Sequence, residues 1–489
     1  MKKYRGNKNI KVCNLYLLKN LIVPVICVFL AGAFSKPAES ATKNPDDVAK
    51  LQKFVDAQVK KGAKLSKDVE NDKCYKWDKN GNLKSIKWRR CNLTGNIKLP
   101  SFNKLKSVDI YINPKLKGID AGRNPFLEEM NCAGGSIGCG KIVRFHINRL
   151  DVTGCRKLKK LNARYNKIKE IDLSKNKELE GLLFASNMIE EIDLSENKKL
   201  ATLWLRGNML ENISLKKNNN ITALDISGTP CKEIDVSNLK KLETFYCTNM
   251  DIEKLDVSKN SRLEYLDCHN SKLKGASLVL GEKPMLNKLY CNENMLEELN
   301  LDGCSNLKTL HCGDNKLQAL DITNLKKLDH LYCENNNITG LDISQNMNIT
   351  SISCNNNPLG NLELDLPFLT NMDCSNCGLE ELNLEKVKSL SWLICNGNKL
   401  DKLDVSHLSK LSELDCSNNS IVELCVSNLP KLEKLDCSNN NILKLDVTNN
   451  KKLNKLYCNG NKTSEIDISG CDKLKRVYFK YDEGTEIKK

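Results

Sequence analysis

The chain has 489 residues, a formal net charge of +15, 23 cysteines, 5 histidines and 4 tryptophans. Six of its 76 basic residues lie in the first 35 positions, which contain no acidic residue, so the rest of the chain carries 70 basic and 61 acidic residues, a net charge of +9. Basic and acidic residues are interleaved there, which is typical of a mixed solvated surface and not of a phosphate-binding stripe. No nucleic-acid partner is therefore expected.

Residues 1–35 have the order of an export signal. A basic segment precedes the apolar stretch 21–35, which ends in small residues and is too short to span a membrane comfortably. We expect cleavage after Ser35, with cleavage after Ala33 as an alternative and a retained anchor as the other interpretation. No second apolar run follows, so we expect no stable membrane span after signal cleavage. The expected localisation is secreted, cell-surface or periplasmic.

Residues 36–82 are predicted to form an N-terminal cap. Within them, the sequence NPDDVAKLQKFVDAQVKK at 44–61 places Pro45 and acidic residues at the start, followed by apolar residues at helical spacing. This pattern predicts an amphipathic helix. Because a repeat array exposes the apolar edge of its first unit, the helix is expected to cover that edge.

Residues 83–479 repeat one unit, LxxLxCxxNxI followed by xxLDVSxxxK. Its opening leucines recur every 21 residues, as at Leu411, Leu432 and Leu453. This period predicts an α/β solenoid of leucine-rich repeats, a horseshoe with about 19 parallel strands on its concave side and an irregular convex side. Extra residues between Leu127 and Leu158 predict a loop on one face, and residues 480–489 are expected to form a charged tail.

Side chains alternate along a strand, so the fourth and sixth positions of LxxLxCxxN should point inward. The sixth position is cysteine in eleven consecutive repeats: Cys247, Cys268, Cys291, Cys312, Cys333, Cys354, Cys374, Cys395, Cys416, Cys437 and Cys458. Thiols that face a leucine core pack as small apolar groups, so no metal and no cofactor are expected.

Cysteines outside this column are better candidates for disulfides in an exported chain. Cys74 and Cys91 lie beside the cap, and Cys132 and Cys139 lie by the inserted residues. Of the two candidate disulfides, the bond between Cys74 and Cys91 is the favoured prediction.

Two polar columns are predicted to satisfy the backbone where it turns. The ninth position is mostly asparagine, and the LDVS segment supplies aspartate at the opposite turn. The asparagines are Asn166, Asn187, Asn208, Asn294, Asn315, Asn336, Asn357, Asn398, Asn419, Asn440 and Asn461. The aspartates are Asp172, Asp193, Asp235, Asp256, Asp321, Asp342, Asp404, Asp446 and Asp467. Calcium binding by these acids is the less favoured alternative.

The third, fifth and seventh positions point away from the core and line the concave surface. They carry an excess of aromatic and histidine rings. The candidate binding residues are Trp204, Tyr246, Tyr265, His269, Tyr290, His311, His330, Tyr332 and Trp392, with Tyr457 and Tyr478 further along the chain. The densest segment is 263–332. Because tyrosine and tryptophan dominate recognition hot spots, this segment is a candidate site for a protein or a glycan. The alternative is that aromatic residues merely suit strands.

Enzymatic activity is not expected. In His311-Cys312 the two side chains should point to opposite faces of the sheet, so they cannot act as base and nucleophile. The chain has no GxSxG, HExxH or phosphate-cradling glycine loop. A metal site formed by His311 and His330 is a weaker alternative.

The LxxLxCxxNxIxxLDVS unit resembles the repeats of secreted bacterial leucine-rich-repeat proteins, the group that includes the internalins and spirochaete surface repeats. The resemblance implies an exported, adhesin-like protein that binds a host or other cell-surface protein. These 489 residues contain no sorting motif, immunoglobulin-like domain or usual cap sequence of wall-anchored internalins, so wall anchoring is not expected.

Two other functions remain open. One is a periplasmic or intracellular interaction scaffold, which would mean that residues 1–35 are not an export signal. The other is a glycan-binding receptor module of plant type. Glycans on Asn-x-Ser/Thr triplets such as those that begin at Asn92, Asn212, Asn220, Asn337 and Asn348 would favour the receptor.

Overall fold

The computed structural model describes residues 42–136, 142–143 and 146–489. The predicted signal peptide and Cys139 lie outside these residues. None of the helices in the described ranges has the length and apolar content needed to cross a membrane.

The helix Pro45–Lys60 covers the first repeat. Asn44 caps it, since its Oδ1 accepts hydrogen bonds from the amides of Asp46 and Asp47 at 3.0 and 3.3 Å. The Phe54 ring stacks on Trp88 at 4.9 Å, and the buried carboxylate of Asp47 accepts the Leu83 amide at 3.0 Å. Apolar packing and a buried polar contact therefore attach the helix to the sheet.

The cap also contributes a strand that the sequence did not predict. Tyr75–Trp77 pairs antiparallel with Leu83–Lys87, the first repeat strand. The Trp88 indole, which is fully buried, donates a hydrogen bond to the Tyr75 hydroxyl at 3.2 Å. The exposed edge of the solenoid is thus closed by both a helix and an antiparallel strand, which protects it from pairing with another chain.

The predicted parallel solenoid of about 19 turns is confirmed. After Tyr75–Trp77, the main sheet consists of parallel strands, one from each repeat. They are Leu83–Lys87, Ser107–Asp109, Glu129–Asn131, Lys160–Asn162, Gly181–Leu183, Thr202–Trp204, Ala223–Asp225, Thr244–Tyr246, Tyr265–Asp267, Lys288–Tyr290, Thr309–His311, His330–Tyr332, Ser351–Ser353, Asn371–Asp373, Trp392–Ile394, Glu413–Asp415, Lys434–Asp436, Lys455–Tyr457 and Phe479–Lys480. Equivalent residues pair, for example Tyr290 with His311.

Short strands outside the main sheet form small sheets of their own. Three parallel groups are Thr94–Lys98 with Lys115–Asp120 and Arg149–Asp151, Leu255–Asp256 with Leu278–Val279, and Lys274–Gly275 with Met295–Leu296. In the inserted residues, Gly135–Ser136 pairs antiparallel with Ile142–Val143. The predicted loop therefore contains regular structure.

The carboxyl-terminal end differs from the simple charged tail expected for residues 480–489. A 3₁₀ helix, Arg476–Tyr478, precedes the last main-sheet strand. Glu486–Lys488 then adds a strand to Glu465–Asp467, which itself pairs with Leu445–Asp446. The tail thus continues the column of LDVS turns by one unit and covers part of the last repeat.

The cysteine column is buried, as predicted. Its eleven thiols are each exposed by 2 % or less. Burial holds the pKa of Cys312 well above its ordinary value, so the thiol stays protonated. Cys132 also occupies a sixth position and is buried, and its pKa is raised to about 12 by burial. The column is a structural part of the core.

The ninth-position asparagines form the predicted ladder. Asn315 is representative: its Nδ2 donates to the carbonyls of Cys291 and Cys312 at 3.0 and 3.1 Å, and its Oδ1 accepts the Leu296 amide at 3.0 Å. One amide side chain therefore satisfies backbone groups of two adjacent repeats.

A second buried ladder, which was not predicted, lies in the turn that follows the LDVS segment. Asn197 Nδ2 donates to the carbonyls of Leu173 and Asn176 at 3.1 and 2.9 Å. In another repeat the fully buried Lys283 takes the equivalent position, and its ammonium donates to the Leu280 carbonyl at 2.6 Å. The Lys283 ammonium is thus paired within its own repeat, whereas each asparagine donates to the preceding repeat.

The LDVS aspartates cap their own turns. In each case Oδ1 accepts the amide of the residue two positions later, as from Asp342 to Ser344 at 2.9 Å. This hydrogen bond lowers the pKa of the Asp342 carboxyl below its usual value. The column has the turn role that the sequence predicted.

Candidate binding surface

Strand alternation places a group of rings on the outer face of the main sheet. Six of them contact one another in sequence and are called here the ring column: Tyr246, Tyr265, Tyr290, His311, His330 and Tyr332. They come from five adjacent strands, and each is partly exposed. The inward neighbours on the same strands, such as Leu289 and Cys291, are fully buried.

The rings pack edge to face or at a tilt. Centroids are 5.0 Å apart for Tyr246 and Tyr265, 5.5 Å for Tyr265 and Tyr290, and 6.3 Å for Tyr290 and His311. The column continues with 5.4 Å between His311 and Tyr332. Such contacts fix the ring orientations before any partner arrives, so little side-chain entropy remains to be lost on binding.

A buried carboxylate lies among the tyrosines. Asp267 pairs in register with Tyr246 on one side and Tyr290 on the other, and its side chain is 9 % exposed. Its Oδ1 lies 2.6 Å from His269 Nδ1. Burial lowers the pKa of His269, but the hydrogen bond and the charge of Asp267 outweigh burial and raise the pKa above its usual value.

A second carboxylate lies at the other end of the ring column. Glu334 Oε1 is 3.1 Å from His311 Nε2, and Glu334 Oε2 is buried with no hydrogen-bond partner in the described part of the chain. A Cβ at Gly313 would lie 2.7 Å from the Glu334 carboxyl carbon. The absence of a side chain at position 313 thus leaves the space that the Glu334 carboxyl occupies.

Three tyrosines of the ring column, Tyr246, Tyr265 and Tyr290, have a hydroxyl pKa above the ordinary value. Burial, followed by the nearby Asp267 charge, raises the pKa of Tyr290 to about 12 and also raises those of Tyr246 and Tyr265. The tyrosines are therefore neutral at physiological pH. They offer apolar ring area with a hydroxyl, which suits recognition better than chemistry.

The remaining predicted ring residues lie apart from the ring column. Trp204 lies on the strand before Ala223–Asp225 and has the Arg164 guanidinium 5.6 Å from its ring centroid. Trp392 is partly exposed, with two strands between it and His330–Tyr332. Near the end of the sheet, Lys480 Nζ lies 5.6 Å from the Tyr457 ring.

Tyr478 differs from its predicted place in a strand. It lies in the 3₁₀ helix, because two extra residues shift the last repeat so that Leu456 pairs with Phe479. The Lys455 ammonium nevertheless lies 5.2 Å from the Tyr478 ring centroid.

The cysteines and histidines considered for disulfide bonds, catalysis or metal binding lie in separate environments. Cys74 and Cys91 are both present as partly exposed thiols, so their disulfide stays a prediction. Cys132, the described member of the second candidate pair, is a buried thiol. His311 and Cys312 occupy opposite faces. Among the described residues, no group of three or more histidine, cysteine or acidic side chains is placed to hold a metal ion.

Sequence reasoning missed the carboxylates of this face. Asp267 and Glu334 also occupy outward positions, but they are not part of the excess of rings from which the sequence predicts the site. A signal existed: the fifth position alternates between rings and aspartate over Trp204, Asp225, Tyr246, Asp267 and Tyr290.

Comparison with known proteins supports the leucine-rich-repeat assignment through structure. No protein-family model matches the sequence, and no curated protein matches it. Among solved structures, the functional domain of InlJ from Listeria monocytogenes, described as including a cysteine ladder, has 28% identity and a TM-score of 0.58, covering 73% of this chain and 72% of that one. YopM from Yersinia enterocolitica has 17% identity and a TM-score of 0.54, covering 97% and 100%. A leucine-rich-repeat protein of Leptospira interrogans has 19% identity and a TM-score of 0.49, covering 77% and 95%.

The chain therefore has the solenoid fold of bacterial leucine-rich-repeat proteins, a protein-interaction fold. It is similar to an internalin-type protein, InlJ, and both have a cysteine ladder.

Proposed function

We propose that this chain is an exported, non-enzymatic binding protein, adhesin-like in role, that recognises a protein partner on the concave face of its main sheet, where the outward side chains lie. The observation that carries the proposal is the ring column, in which six rings from five adjacent strands pack in one continuous series.

The physical support is preorganisation. A rigid parallel sheet holds the rings, and their mutual contacts limit the rotamers they can adopt. Partners gain contact area from such rings at low entropic cost, which is why aromatic residues are frequent among binding hot spots. His269 adds a polar group beside the column through its contact with Asp267.

Capture from extracts of candidate host cells tests the proposal. The full mature chain, beginning after residue 35, is compared with the variant Tyr290→Ala/His311→Ala/Tyr332→Ala. We expect the wild type to retain a partner that the triple variant loses, by at least about tenfold, because hot-spot truncations often cost 2 kcal/mol or more. The matched control is Glu413→Ala/Lys434→Ala/Lys455→Ala, on the same face of later strands.

The outcomes separate the alternatives. Loss with the ring variant and retention with the control support the proposal, whereas equal retention by both variants rejects this surface. Protease treatment of the extract should abolish capture, and glycosidase treatment should not. The reverse result would replace the protein partner with a glycan.

Export is tested separately. Amino-terminal sequencing of the protein from its native source should begin at Lys36. An unprocessed Met1 terminus on protein recovered from the cell interior would favour an intracellular scaffold.

A further inference from the structure

The ring column lies in the acidic part of a basic protein. Over the strands from Thr202–Trp204 to Asn371–Asp373, the outward positions and the turn residues that follow hold six carboxylates against two basic side chains, Arg206 and Lys288. The carboxylates are Asp225, Asp267, Glu293, Asp314, Glu334 and Asp373. The excess of negative charge is local, because the whole chain carries +15.

None of these six carboxylates forms an ion pair with a lysine or an arginine in the part of the chain that the structure describes. The ion pairs of Asp267 and Glu334 there are with histidines, at 2.6 and 3.1 Å. Burial, together with neighbouring Glu334 and Glu293, raises the pKa of Asp314 above its usual value. Carboxylates that repel one another and have no lysine or arginine partner favour the binding of a cation from outside.

Later strands of the same face show the contrast. Lys434 pairs in register with Glu413, and its ammonium donates to the Glu413 carboxylate at 2.6 Å. Two residues further along these strands, Asp415 pairs with Asp436, and the charges of both help to raise the pKa of Lys434. There the chain supplies its own cation. The ring column has no equivalent residue paired with Asp267 or Glu334 within the described ranges.

Isolated rings of this face also carry cations from the chain itself. Arg164 lies over Trp204, and Lys480 lies over Tyr457. In the described residues no lysine or arginine has such a contact with Tyr246, Tyr265 or Tyr290. A cation over a ring face is attracted by the ring's electron density, and a nearby carboxylate adds to this attraction.

From these contrasts we infer that the ring column accepts lysine or arginine side chains of a basic peptide segment in the partner. The ammonium or guanidinium group lies against the rings of Tyr246, Tyr265 and Tyr290, and the charges of Asp267 and Glu334 favour it. This inference rests on the proposed function, since it specifies the chemistry of the partner at the same surface.

Fluorescence anisotropy with synthetic peptides tests the inference on the full mature chain. The probe is a fluorescein-labelled peptide of six Lys-Gly units, compared with matched Gln-Gly and Glu-Gly peptides. We expect the lysine peptide to bind at least about tenfold more tightly than the glutamine peptide at low salt, and the difference to shrink at about 0.3 M salt as screening increases. The positive net charge of the mature chain, +9, disfavours nonspecific attraction of this probe.

Two variants with equal changes of charge locate the binding. Asp267→Asn/Glu334→Gln should weaken lysine-peptide binding at least about fivefold, since charge-assisted contacts contribute on the order of 1 kcal/mol or more. Asp415→Asn/Asp436→Asn, where Lys434 is present, should change it less than about twofold. If the first variant loses its folded circular dichroism spectrum, the exposed pair Glu293→Gln/Asp314→Asn replaces it, with the same direction expected.

The inference is overturned if the lysine and glutamine peptides bind equally, or if the control variant loses as much affinity as the site variant. Its failure is distinguishable from failure of the proposed function. If the captured partner is lost with the ring variant but kept by Asp267→Asn/Glu334→Gln at all salt concentrations, the surface binds a partner without using a cation. If the lysine peptide needs Asp267 and Glu334 while the ring variant keeps the captured partner, the cation site stands and the proposed function fails.

Discussion

The inward and outward residues of the same strands follow opposite rules. His311 and Cys312 are neighbours in sequence, yet Cys312 belongs to a column that is cysteine in eleven repeats, whereas the outward fifth position varies between tyrosine, histidine, aspartate, serine and isoleucine. Each inward residue packs against the same atoms in the next repeat, so one size and polarity suits every position. Outward residues meet solvent or a partner, and their identity is free to serve recognition.

The largest expected effect on stability comes from placing a polar side chain at a buried, inward position. Cys333→Asn places a larger, polar amide among fully buried leucines and thiols. We expect the apparent free energy of unfolding to fall by about 3 kcal/mol in urea titrations. The outward control Ser353→Asn, one strand away, should change it by less than about 0.5 kcal/mol. Equal losses would mean that the two faces are not distinguished by burial.

The next effect concerns the asparagine ladder that borders the inward face. Asn315→Ala removes the acceptor of the buried Leu296 amide. It also removes one of two side-chain donors to the carbonyls of Cys291 and Cys312, since Asn294 and Asn336 still donate to them. A loss of about 2 kcal/mol is expected, because buried polar groups left unpaired cost 1–3 kcal/mol. The exposed Asn337 is the control, and its replacement by alanine should be nearly neutral. An unchanged urea midpoint for Asn315→Ala would contradict the structural role of the ladder.

Truncation of the outward rings should cost less stability than one buried polar substitution. The triple variant Tyr290→Ala/His311→Ala/Tyr332→Ala is expected to keep its circular dichroism spectrum and to lose about 2 kcal/mol, since partly exposed ring contacts contribute modestly. A loss larger than that of Cys333→Asn would show that the ring column is part of the core and not a recognition surface.

The smallest effect is electrostatic and lies within the outward face. The imidazole of His269 should titrate above the ordinary value of about 6.5, and the midpoint should fall in Asp267→Asn, because burial then acts without the carboxylate. Since the folded-state pKa is raised, the stability that the pair contributes is complete below about pH 6.5 and is lost as the pH rises through the folded-state value. NMR titration of the 5 histidines with selective labelling measures this. A midpoint unchanged by Asp267→Asn would remove Asp267 as the cause.

The fold could be predicted from sequence because a solenoid repeats local rules. A 21-residue period and strand alternation place Leu411, Leu432 and Leu453 in one column, without knowledge of distant contacts. Departures at the two ends could not be predicted in this way. The antiparallel strand Tyr75–Trp77 and the added strand Glu486–Lys488 exist because terminal repeats lack a neighbour, and their sequences do not follow the repeat.

The ring residues of the candidate surface could be named from sequence, but their grouping could not. Sequence alone determined the repeat, the buried thiols and which side chains point outward, because those follow from period and alternation. The tertiary structure decided that Tyr246, Tyr265 and Tyr290 touch while Trp204 and Trp392 stand apart, and that Asp267 lies buried between tyrosines. The reason is physical: side-chain contact across strands depends on rotamers and on space cleared by residues such as Gly313, and a repeat pattern specifies neither.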